Sequence, residues 1–188
     1  MVVNWQEQVL EQLEWHWHGH ARPRLDGLTD EEYRWEPVAG SWNVRPRTGQ
    51  TPAEAPGTGE WTIDFTFPEP QPAPVTTIAW RLAHVVVGVL GMRAQSHFGA
   101  SFAWGPANYS AWRYAGTAAE ALAQLDATHD AWVAGVRALA EDELARPVGD
   151  KEPGHEEGLM AELVLHIHRE VIHHLAEVAL LRDLYAHR

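Results

Sequence analysis

Near the end of the chain, two residues have the type and spacing to hold a metal ion. They lie in the stretch His166 to Arg182, H-I-H-R-E-V-I-H-H-L-A-E-V-A-L-L-R. Leu163, Ile167, Val171, Val178 and Leu181 recur at helical spacing and mark an apolar face. Glu170 and His174 fall in the same stripe. One turn apart on a helix, a carboxylate and an imidazole project side by side. A charged carboxylate on a buried face needs a partner, and a divalent cation is one. The pairs His166–Glu170 and His173–Glu177 share the spacing but leave the stripe. His173 points to the flank, where it is either a support for the pair or a plain ion pair with Glu177. A blander alternative stays open, in which Glu170 and His174 bond to each other or to Arg81 in a polar core network.

Two ligands do not make a tight site, because a catalytic zinc typically takes about three protein ligands and keeps an open position. The remaining donor on a helix that must be central is His84. It lies in I-A-W-R-L-A-H-V-V-V-G-V-L-G-M-R-A-Q-S-H-F, which is apolar nearly all round. One stripe differs: Arg81, His84, Gly88 and Gln95, with Gly91 beside it. Glycine inside a helix is unfavourable by about 1 kcal/mol. Two of them beside the histidine line imply close approach of another helix or room for a ligand. On its own helix, His84 reads more readily as a satisfied polar residue than as a ligand.

The elements that position these residues follow from caps and breakers. Asn4 starts a helix to about Arg22, with Trp5, Val9, Leu13 and Trp17 as its buried face. His16, His18 and His20 sit two apart and do not face one another, so they read as surface or partly packed residues. Thr29 with Glu32 and Thr117 with Glu120 have capping-box spacing. Residues 37–74 are dense in Pro and Gly, with an extended segment Trp61–Phe67. So long a loop is either a wrapped surface insertion or a lid. Thr76 or Thr77 opens the second long helix, to about Phe98. The third runs from Thr117 to about Ala140 and the fourth from about Gly158 to Tyr185. The expectation is one all-α domain over 1–188, an antiparallel four-helix bundle with 37–74 as an irregular insertion.

Composition narrows the partners. The 188 residues carry a formal net charge of −12 and 45% hydrophobic residues. That balance argues against nucleic-acid binding and against anionic membranes. The absence of cysteine removes disulfides, cysteine nucleophiles and thiolate metal sites, and is compatible with a cytoplasmic location. The N-terminal stretch has early acidic residues and no apolar run, so it does not read as a signal peptide.

The last-helix motif H-I-H-R-E-V-I-H-H-L-A-E-V-A-L-L-R-D-L-Y resembles that of the DinB/YfiT-like superfamily. L-D-G-L-T-D-E-E-Y-R-W-E-P and T-T-I-A-W-R-L-A-H match its other marks. The nearest likeness is to the branch of mycothiol-dependent maleylpyruvate isomerases. The resemblance implies a four-helix bundle, often a homodimer, with a divalent metal at one end. Carried over by motif, the ligands are His84, Glu170 and His174, glutamate replacing the first histidine of the commoner H-x3-H pair. The metal would be zinc, with nickel as the alternative. A low-molecular-weight thiol such as mycothiol and a small electrophile would be the partners, in an S-transferase or isomerase reaction. Arg81 would steer a substrate carboxylate, and His173 and Glu177 would support the site. The alternatives are metal-assisted hydrolysis, with Glu177 or His173 as base, and a non-enzymatic metal-binding stress-response protein.

Overall fold

The structure is a computed structural model and describes residues 3–188. It is all-α in character, with four long helical segments and one small hairpin. The first segment is α1 (Trp5–His16), continued by a π-helical turn at Trp17–Ala21. A single turn of helix, α2 (Asp30–Tyr33), follows. Strands β1 (Val44–Pro46) and β2 (Trp61–Ile63) pair antiparallel, with Val44 opposite Ile63. The second segment joins α3 (Ile78–His84), a wide π-helical stretch at Val85–Gly91, and α4 (Met92–Phe98). The third is α5 (Ala118–Ala138) and the fourth is α6 (Met160–Ala186). Among the described residues, no helix is long and apolar enough to cross a membrane.

The caps form largely as their residue types dictate. Asn4, Thr29, Thr77 and Thr117 each accept a hydrogen bond from the backbone N–H three residues on. The Thr29 box is only half made. Glu32 does not return to the cap; its buried carboxylate instead accepts from Arg182 Nε at 2.6 Å and Nη2 at 3.2 Å. That pair ties α2 to the far end of α6.

The core is one cluster of buried side chains. Every residue of Val85–Gly91 lies inside it, against Leu125, Trp132 and Val136 of α5 and Val164, Ile167 and Val171 of α6. The expected face of α1 is rotated. Trp5 is 61% exposed, and Gln6, Leu10, Leu13 and Trp17 are the buried residues. The reason is polar: Gln6 Nε2 donates to the carbonyls of Val136 (3.1 Å) and Arg137 (2.9 Å). It thereby satisfies acceptors that the end of α5 would otherwise leave open.

The segment between α2 and α3 is anchored to the start of α3. Trp42 N–H donates to Val75 and Thr77 N–H to Trp42, both at 2.9 Å, and Thr77 Oγ1 donates to Asn43. Of the expected strand Trp61–Phe67, only Trp61–Ile63 pairs. Beyond it, the Asp64 carbonyl accepts from Trp80 Nε1 at 2.8 Å, which holds this chain over the first turns of α3.

Candidate metal centre

His84 and His174 are brought together where α3 faces α6, with Glu170 beside His174. The His84 and His174 rings meet edge to face, with centroids 4.7 Å apart. Glu170 Oε2 lies 3.5 Å from His174 Nε2. His174 is buried, while the Glu170 side chain is 28% exposed, so the site opens to solvent on the carboxylate side.

The hydrogen bonds select the nitrogens left free. His174 Nδ1 lies 2.8 Å from Glu177 Oε2. Glu177 accepts from Nδ1–H in one tautomer, while the Arg81 Nη1–H, 3.3 Å away, donates to Nδ1 in the other, so these neighbours serve both tautomers of the ring. Nε2 faces the Glu170 carboxylate. At 3.5 Å, Nε2 meets Glu170 either as an N–H donor or, as a lone pair, across a shared cation. A carboxylate holding the far nitrogen of a ligating histidine is the usual support in metal sites, so the residues present fit a divalent ion.

His84 Nδ1 lies 2.7 Å from the Tyr109 hydroxyl, which can donate or accept and so orients the ring without fixing its tautomer. With Nδ1 engaged by Tyr109, Nε2 is the nitrogen left for a ligand. Burial, then the neighbouring His174 and Arg81, push the His84 value down to about 4, against the pull of Glu170 and Glu177. It is therefore neutral at pH 7, the form that ligates metal. Burial raises the Tyr109 hydroxyl to about 12, which keeps its proton. Tyr109 belongs to the loop after α4, and the sequence reading gave it no role. Its signal was Gly88, one turn past His84. A Cβ at Gly88 would lie 2.0 Å from the Tyr109 oxygen. The space beside His84 thus serves a loop side chain, whereas a Cβ at Gly91 would meet Ala107 and Thr128, the latter on α5.

Arg81 does not stand free for a substrate. Its guanidinium lies 3.2 Å from Glu177 Oε2 and 3.3 Å from His174 Nδ1. The Arg81 Nη1–H is aimed at His174 Nδ1, and Glu177 Oε2 lies within ion-pair distance of the same guanidinium. Burial lowers the Arg81 value and Glu177 opposes that. The polar network of the bland alternative is present through Arg81, His174 and Glu177, with Glu170 at its edge 3.5 Å from His174.

A tighter grouping of donors also exists. One ligand atom each from His173, His174 and Glu177 lies within 4.8 Å of the others. This makes a His/Glu cluster able to hold a metal a feature of α6. In this cluster the Arg81 guanidinium lies 3.2 Å from Glu177 and the His173 side chain is 61% exposed. His166 is exposed beside Arg169 and lies 3.7 Å from Glu170.

Two further histidines are buried. His129 stacks on Trp17 at 3.7 Å, in a packing role. His168 meets Trp132 edge-on at 6.2 Å, and burial, opposed by the Val9 backbone, lowers it to about 4. Its place in the stripe with Val164, Val171 and Leu175 was visible in the spacing but not read.

Comparison with known proteins agrees with the architecture. The DinB superfamily model matches residues 12–178, and the chain belongs to that superfamily. The matched span contains His84, Glu170 and His174. No curated protein and no solved structure matches the chain significantly.

Proposed function

We propose that the protein is a metal-dependent enzyme in which His84, Glu170 and His174 hold a divalent cation, zinc first and nickel second. The observation that carries this reading is the approach of His174 Nε2 to the Glu170 carboxylate, 3.5 Å, with the His84 ring 4.7 Å from that of His174. Such an ion supplies an open position at which a small thiol loses its proton near neutral pH. The reaction class is transfer of that thiol to an electrophilic carbon, or its reversible addition to isomerise a double bond.

The chain's own residues prepare this. Glu177 and Arg81 hold His174 at Nδ1, and Tyr109 orients His84. Burial keeps His84 neutral. The chain has no cysteine, so the thiol comes from outside, and mycothiol is the candidate that the family likeness supplies. Hydrolysis fits less well, because Glu177, its natural base, is engaged by His174 and Arg81.

Purified protein loaded with zinc should catalyse conjugation of mycothiol to 1-chloro-2,4-dinitrobenzene above the rate of metal-free protein. Equal rates would overturn the thiol-transfer reading. A melting temperature indifferent to zinc and nickel would overturn the metal reading.

A further inference from the structure

A cavity of about 310 Å³ adjoins the His84 ring and is walled by Trp42, Phe65, Phe67, Trp80 and Tyr109. The rings form a series leading to the candidate metal centre. Trp42 and Trp80 lie 5.8 Å apart, Trp80 stacks on His84 at 5.4 Å and 14°, and His84 on Tyr109 at 6.4 Å and 14°. At the mouth, Phe65 is 60% exposed and Phe67 88%. Two large exposed aromatics beside a cavity mark a binding surface more often than a folding requirement.

The charge around this cleft is one-sided. Its lining includes Asp64 and Glu69 and no lysine or arginine. Asp64 is paired with Arg45 at 2.7 Å, while Glu69 is exposed at the rim. The cation beside the site, Arg81, is committed to Glu177. A carboxylate entering here would meet repulsion and no unpaired partner.

A second cavity, about 300 Å³, lies near Glu152, His155 and His166. Its Arg93 is bonded to the Gly88 carbonyl and Glu152, so it offers no open cation to a ligand.

We infer that the aromatic cleft beside His84 receives a planar aromatic substrate that is uncharged or cationic, and that Phe67 and Glu69 set this preference. The inference rests on the proposed metal centre for its catalytic meaning, but not for its binding. It departs from the diacid substrate that the isomerase likeness would suggest.

The test is calorimetric titration of the full chain with 1-naphthylmethylamine, 1-naphthylmethanol and 1-naphthoate, at about 0.15 M salt, without metal and then with zinc. In metal-free protein the amine and alcohol should bind, the amine roughly three- to tenfold tighter than the carboxylate. Phe67→Ala, at an exposed position that leaves folding intact, should weaken all three probes roughly three- to tenfold. Glu69→Gln should narrow the gap between amine and carboxylate. Naphthoate binding as tightly as the amine, a Phe67→Ala protein with unchanged affinities, or a gap untouched by Glu69→Gln would each overturn the inference. The zinc-induced melting shift is read separately. Probe binding without a zinc response removes the metal reading alone, and a zinc response without probe binding removes the cleft alone.

Discussion

The Tyr109 hydroxyl sits 2.7 Å from His84 Nδ1. A loop residue thereby fixes the orientation of a histidine on the central helix. Tyr109→Phe keeps the ring and removes this bond. Zinc affinity should fall about tenfold, while folding stability should change by only about 1 kcal/mol. Zinc titration against a competing chelator and a denaturant melt separate the two effects.

Gly88→Ala should act through the same contact. Alanine favours a helix over glycine by about 1 kcal/mol. The added carbon, however, would lie 2.0 Å from the Tyr109 oxygen. Overpacking of that kind typically costs about 1–3 kcal/mol, so the variant should be destabilised and should also bind zinc more weakly. Urea denaturation and zinc titration check both.

Glu177→Gln removes the charge that holds His174 at Nδ1 and offsets Arg81. Zinc affinity should drop by about 10- to 100-fold. His173→Ala, which loses only a 3.6 Å flank contact with Glu177, should leave it nearly unchanged. A His173→Ala protein that loses zinc as fully as His84→Ala would move the metal to the outer cluster.

Stability of the metal-free protein should fall with acid. His84 and His168 have folded values near 4 against an ordinary 6.5. Between those values the unfolded chain binds protons that the folded chain excludes, so stability declines as pH drops through that window. From pH 7 to pH 5 each group should account for about 2 kcal/mol. Denaturant midpoints at the two pH values test this, and His168→Leu should flatten the slope.

Arg182→Met should strand the buried Glu32 carboxylate, whose two oxygens now accept from Arg182. Leaving a buried charge alone costs about 3–5 kcal/mol. Adding Glu32→Gln should recover part of that loss in the same denaturation assay.

The helices and the Glu170–His174 pair were legible because spacing and caps are local properties. What lay beyond local rules was harder to read. Trp5 was expected inside, yet Gln6 took its place because the end of α5 needed donors, a demand made by another element. Tyr109 is distant in sequence from His84 and became visible only through the space Gly88 leaves. Arg81 looked available to substrate because nothing in the spacing showed that Glu177 would meet it across the helix pair. The cleft depends on how residues 63–69 drape over Trp80, which Pro- and Gly-rich sequence does not specify.

The wide stretch Val85–Gly91, where Met92 N–H reaches back to the Val87 carbonyl, divides one long helix into two independently phased halves. A turn closed over five residues takes in one more than the ordinary helix. The bearing of Arg93 and His97 is thereby set apart from that of His84. Gain or loss of a single residue in the stretch would re-aim the far half and leave His84 on its heading. The stretch works as a splice joint, at which one end of the bundle can be retuned through length changes while the histidine end is preserved.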